Sequence, residues 1–197
     1  MNKLQGFYEL QSSGLPTVPW KKYEKGTKLE NSILWTIRSA IWEGNDLNLP
    51  RKVGVSSDEA EEFAEGLQKT LGEDSLIIYY PYFIAEKSGV LEVASHRMVI
   101  EAAKDDLWNL VTFNKIDVSI CFDSSLERSY TGDSKFLNNE EIEEIVRYSE
   151  IIKRKYKDIL FDSKSVFLEW SFAFESDTNK EPVGPRKLVF YELRSVG

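Results

Sequence analysis

Two glutamates and an arginine near the C-terminal end have the types and spacing that could do chemistry. In residues 166–174, V-F-L-E-W-S-F-A-F, the two-residue repeat of a strand sends Val166, Leu168, Trp170, Phe172 and Phe174 to one face and Glu169 to the other. In residues 188–194 the same rule puts Glu192 and Arg194 together, opposite Val189, Tyr191 and Leu193. A stretch with Pro182, Gly184 and Pro185 separates the two runs, which therefore read as a hairpin. Pairing Phe174 with Lys187 sets Glu169 directly across from Glu192, with Cβ atoms about 5 Å apart. Like charges so placed repel, and a hard divalent cation with oxygen ligands relieves the repulsion. Arg194 would offer a planar fork to a phosphate beside that ion. The plain alternative is a solvated sheet surface on which Arg194 neutralises one glutamate.

Several elements must hold this pair. Ser56 and Glu59 form a capping box, and Ala60, Phe63, Ala64, Leu67 and Leu71 recur at helical steps until Gly72. Asn138 and Glu141 start a second long helix that turns Ile142, Ile145, Val146, Ile152 and Tyr156 inward. Residues 33–37 read as a buried strand ending before Arg38, and residues 76–85 as a β-rich run in which Pro81 marks a strand end or bulge. Residues 89–94, 97–103, 107–113 and 117–122 have the spacing of an antiparallel meander, and 123–137 reads as polar loop. The first thirty residues are turn-rich, with a short helix around residues 7–11.

Composition narrows the classes of function. A chain of 197 residues with 42% hydrophobic and 29% charged residues is one compact globular unit. Its formal charge of -8 argues against a large nucleic-acid or anionic-lipid surface and leaves room for a local basic cleft. Cys121 is the only cysteine and His96 the only histidine, which removes intramolecular disulfides and any two-imidazole metal site. No run approaches the roughly 20 apolar residues of a membrane span, so the expected location is cytoplasmic. His96 reads as a turn residue, Cys121 as a small core residue, and Thr131 to Lys135 as a surface loop rather than a P-loop.

The tail of the chain resembles the end of the nucleotide-binding domain of the pyruvate phosphate dikinase and phosphoenolpyruvate synthase family. There an acidic I-E-W-A strand is followed by one ending L-Q-x-R; here the residues are Leu168-Glu169-Trp170-Ser171 and Tyr191-Glu192-Leu193-Arg194. The likeness continues upstream in order. Lys3 with Glu9-Leu10 and Gly14-Leu15-Pro16 is similar to the family's opening K-G-x-N-L-x-E-L … G-L-P. Thr36-Ile37-Arg38-Ser39-Ala40 followed by Glu43 is similar to V-R-S-S-A … E-D, Ile77 to Phe83 to the hinge strand, and Ile100-Glu101-Ala102-Ala103 to I-E-A-A.

The resemblance implies an α+β fold of ATP-grasp type: a reduced N-terminal subdomain over residues 1–75, and a C-terminal subdomain over 76–197 with an antiparallel sheet and packed helices. It implies ATP and Mg²⁺ as ligands, with Glu169 and Glu192 on the metal and Lys3, Arg38 and Arg194 on phosphate. Tyr80, Tyr82 and Phe83 would line the base pocket. If the chain is an enzyme, the reaction is phosphoryl transfer to an acceptor that the sequence does not identify. Two departures favour an alternative, a degenerate non-catalytic module that binds a protein partner or another ligand. The family's Gly-Leu-Gly turn is replaced by Lys104-Asp105-Asp106-Leu107-Trp108, and only a short stretch separates Trp20 from Trp35 where the family has its lid.

Overall fold

The computed structural model describes residues 1–41, 49–72, 75–111 and 115–197, with only the backbone of Trp108 and Val111. Glu43 and part of the run expected as a strand at 107–113 lie outside the described residues. The fold is α+β, built on two antiparallel sheets.

Three of the helices begin with the same device. Helix α1 (Lys3–Gln11) is capped by Asn2 with Gln5 reaching back, α2 (Ser57–Leu71) by Ser56 with Glu59, and the later α4 (Asn139–Lys155) by Asn138 with Glu141. Each box satisfies two otherwise unpaired backbone N–H groups. Gly72 ends α2 at φ +75°, a backbone region that costs glycine nothing.

The first sheet holds β1 (Lys21–Lys22), β2 (Trp35–Ile41), β3 (Lys52–Val55) and β4 (Ser75–Pro81), in the order β1-β4-β2-β3. It therefore takes one strand from beyond residue 75. Strand β2 starts two residues later than expected and runs on through Arg38, which sits in mid-strand opposite Ile78. Pro81 closes β4, as its missing N–H requires. Helix α2 buries Ala60, Ala64 and Leu67 on this sheet, against Trp35, Ile37 and Ile77.

The second sheet has six strands, ordered β10-β9-β5-β6-β7-β8: β5 (Phe83–Val93), β6 (Met98–Lys104), β7 (Val118–Phe122), β8 (Arg128–Gly132), β9 (Ser165–Ser176) and β10 (Pro182–Val196). Helix α4 buries Ile142, Ile145 and Ile152 against Leu168, Trp170, Phe172 and Phe190 of this sheet, and the short α5 (Lys157–Phe161) adds Leu160. Two expectations fail here. The run from Leu107 forms a helical turn, α3 (Trp108–Val111), and Thr131 and Gly132 belong to the wholly exposed edge strand β8 within the stretch read as loop. A short apolar run does not tell helix from strand by period, and β8 has no apolar alternation to reveal it. Cys121 is half-buried on the face of β7 opposite Val118, Ile120 and Phe122, so it is not in the core. His96 is exposed in its turn.

Helix α1 joins the two sheets. Its Leu4 and Phe7 pack with Val18, Ile78, Tyr80, Phe83 and Val189 in a cluster fed by both. A Cβ on Gly6 would lie 1.8 Å from the Leu193 carbonyl oxygen, so only glycine lets the helix backbone rest on β10. Residues 16–18 then run along the same strand, with the Phe190 amide donating to the Pro16 carbonyl at 2.8 Å. Among the described residues no helix is long and apolar enough to cross a membrane.

Candidate functional site

The two sheets face each other across a cleft that opens to solvent. The first sheet supplies Thr36 and Arg38 from β2, Arg51 and Val53 at β3, and Tyr80 from β4. The second supplies Phe83 and Ala85 from β5, Glu169 and Ser171 from β9, and Tyr191 from β10. Tyr82 enters from the β4–β5 junction, and the loop after β6 brings Asp106 and Leu107. Asp105 in that loop has φ +62°, so the chain makes a glycine-like turn where the resemblance leads one to expect the Gly-Leu-Gly motif.

The hairpin brings the acidic pair together by an unexpected route. Lys187 pairs with Ala173 rather than Phe174, one residue out of the expected register. A bulge between Phe190 and Glu192 then absorbs that residue, so Glu192 does face Glu169. The bulge also changes faces. Tyr191, expected opposite Glu192, lies on the cleft side with it, while Leu193 returns to the core beneath α4.

Arg38 lies between the sheets and holds Glu192. One terminal guanidinium nitrogen donates to Glu192 Oε2 at 2.6 Å, and the other reaches the Tyr191 carbonyl at 3.5 Å. Its planar group lies over the Phe7 ring, 5.4 Å from the centroid. Arg38 is 5% exposed, and its Nε, also buried, has no hydrogen-bond partner among the described residues. A buried guanidinium donor without an acceptor is costly. Lys3, the first residue of α1, places its ammonium 3.9 Å from the same Glu192 oxygen. Burial, and then the Arg38 charge, lower its pKa from the usual lysine value.

Glu169 behaves differently from its partner. No hydrogen bond to its carboxylate is found among the described residues, and it faces the cleft. Burial and then the Glu192 charge push its pKa up to about 7, with Arg38, Arg194 and Lys3 pulling the other way. Near neutral pH it can therefore hold or release a proton. Arg194 shares the face of Glu192 and lies over the Phe167 ring, 5.6 Å from its centroid, outside the cleft lining.

The structure thus brings Lys3, Arg38, Glu169 and Glu192 together, with Arg194 at their edge. Tyr80, Tyr82 and Phe83 form the other wall. Burial raises the pKa of Tyr80 and of Tyr82, so both hydroxyls stay protonated. Arg51, Asp106, Ser171 and Tyr191 were not expected from sequence. Arg51 feels both Arg38 and Glu169, and burial lowers its pKa. Strand β3, which places Arg51, was not expected from the sequence, and a bulge that turns Tyr191 inward leaves no signal at all.

Four cationic side chains, Lys3, Arg38, Arg51 and Arg194, thus gather around Glu169 and Glu192, with Asp106 near Arg51, in a chain of net charge -8. Among the described residues no group of three or more His, Cys, Asp or Glu side chains could hold a metal ion. Glu169 and Glu192 could still give oxygen ligands to Mg²⁺, which commonly takes one or two carboxylates and fills its other positions with water and phosphate. Arg38 already engages one Glu192 oxygen, so such an ion would draw mainly on Glu169 and the other Glu192 oxygen. No protein-family model and no curated protein matches the chain.

Proposed function

We propose that the cleft binds a nucleoside triphosphate together with Mg²⁺, ATP being the nucleotide implied by the resemblance to ATP-grasp nucleotide-binding domains of pyruvate phosphate dikinase type. The observation that carries this reading is Arg38, a buried guanidinium held by Glu192 at 2.6 Å with its Nε unpartnered among the described residues. An anionic oxygen, of phosphate or carboxylate, is the acceptor that such a guanidinium N–H fits. Arg51 in the cleft lining and Lys3 beside Glu192, outside it, add positive charge, and the aromatic wall of Tyr80, Tyr82 and Phe83 suits the flat face of a base.

Charge balance sets the form of the ligand. A bare divalent cation entering beside four basic side chains is repelled, whereas a magnesium triphosphate complex carries net negative charge into that positive field. Glu169 would ionise as the complex enters and give Mg²⁺ an oxygen. If phosphoryl transfer follows, position and charge drive it rather than a protein nucleophile. The engagement of a Glu192 oxygen by Arg38 also favours the second reading, a module that binds nucleotide without transferring phosphate; an assay of ATP turnover separates the two.

Thermal unfolding with and without ligand tests the binding. MgCl₂ alone should leave the midpoint unchanged, while ATP with MgCl₂ at about 100 times its Kd adds about 2.7 kcal/mol, a rise of roughly 5–10 °C for a chain of this size. Glu169→Ala should remove the part of the rise that depends on magnesium. A flat response to ATP with MgCl₂, or an equal one in Glu169→Ala, would count against the proposal.

A further inference from the structure

The cleft also carries a chain of hydroxyl groups whose direction is fixed. The Ser88 hydroxyl donates to the Asp105 carbonyl oxygen at 2.6 Å, and a carbonyl can only accept. Ser88 has one hydrogen, so in its second contact, 2.7 Å to the Ser171 hydroxyl, it must be the acceptor and Ser171 the donor. Ser88 is wholly buried and Ser171 is 2% exposed, so water does not readily reverse the order. Asp105 is held in the left-handed region, with its amide donating to the Glu86 carbonyl at 2.9 Å, which keeps the terminal acceptor in place. With its hydrogen committed inward, Ser171 presents lone pairs on the cleft side, where the Tyr191 hydroxyl is its other side-chain neighbour.

We infer that Ser171, oriented through Ser88 and the Asp105 carbonyl, acts as a specificity-determining acceptor that selects cleft ligands presenting an N–H or O–H donor at that wall. The inference rests on the nucleotide reading and narrows it. On a nucleotide such a donor is either an amino group on the base or a hydroxyl on the ribose. Ser171 lies two residues along β9 from Glu169, about 7 Å between Cα atoms, and both line the cleft. A ligand with a hydrogen at the matching position forgoes that hydrogen bond, and one with an acceptor there sets lone pair against lone pair, which discriminates more strongly than the loss of an apolar contact.

Calorimetric titration of the full chain with the magnesium complexes of ATP, ITP and 2′,3′-dideoxy-ATP tests this. ITP replaces the base amine with an oxo group, and the dideoxy compound lacks both ribose hydroxyls. The wild-type protein should bind one of these analogues at least about tenfold more weakly than ATP, and the weaker analogue names the donor. Ser88→Ala frees the Ser171 hydrogen to turn toward the cleft, and should bring the ratio close to one while ATP affinity changes less than about threefold. The wild-type comparison needs no variant to fold. Equal affinity for all three ligands, or a ratio that persists in Ser88→Ala, would overturn the inference while leaving nucleotide binding intact. Binding of none of them would overturn the nucleotide reading and this inference with it.

Discussion

Two buried charge clusters in this molecule are built from the same residue types and reach opposite states. At the start of α4, Glu141 is 2% exposed and fully engaged: Lys87 donates to both its oxygens at 2.8 and 3.0 Å, Arg186 at 2.7 Å and the Asn138 amide at 2.9 Å. Burial pushes its pKa up, but the hydrogen bonds from Lys87, Asn138 and Arg186 prevail and hold it below the ordinary value. In the cleft the balance is reversed, since burial and Glu192 carry Glu169 up to about 7 and the Arg38 Nε has no partner among the described residues. The first cluster is complete and locks the helix to the sheet. The second leaves the Arg38 Nε without an acceptor and the Glu169 carboxylate without a hydrogen bond among the described residues, the condition of a site that a ligand completes.

The comparison is broken most severely by removing the satisfied anion. Glu141→Ala leaves Lys87 and Arg186 facing each other and should cost about 3 kcal/mol in urea unfolding, with no change in nucleotide affinity once stability is allowed for. Next comes Gly6→Ala, whose methyl meets the Leu193 carbonyl. Its expected cost is about 2 kcal/mol, together with weaker nucleotide binding, because α1 carries Lys3.

Glu169→Gln should instead stabilise the protein at pH 8, by something on the order of 1–2 kcal/mol. The sign follows from proton uptake. Between the ordinary 4.5 and about 7 the folded chain holds a proton that the unfolded chain has lost, so this group's contribution falls as pH rises through that window. Wild type and Glu169→Gln should have equal stability near pH 4 and diverge up to pH 7, a profile that denaturant midpoints across pH would measure. The smallest change belongs to Arg194→Ala at the edge of the cluster, within about 0.5–1 kcal/mol.

What sequence reasoning could see divides along the same lines. The capping boxes of α2 and α4 were legible because a cap is a local pattern of two side chains three residues apart. The pairing of Glu169 with Glu192 was also expected, but the reasoning missed both the one-residue offset at Lys187 and the bulge at Tyr191 that cancels it. Bulges and registers depend on what the whole sheet packs against, and no local run of residues encodes them. Arg38 was taken for a strand end because an arginine in the middle of a buried strand contradicts every propensity; Glu192, Tyr80, the Tyr191 carbonyl and the Phe7 ring make the position tolerable. The hydroxyl chain from Ser171 to Asp105 crosses three separate segments and left no trace in the spacing of the residues.

The central claim is that the unsatisfied cluster is completed by a magnesium triphosphate held on Arg38. It is tested most directly by calorimetric titration of MgATP into wild type and Arg38→Met at pH 7, in two buffers of different ionisation enthalpy. The account predicts saturable wild-type binding with net release of part of a proton, as Glu169 ionises onto the metal, and a loss of at least about a hundredfold in affinity for Arg38→Met. Absence of saturable heat in the wild type, or equal affinity in the two proteins, would contradict it.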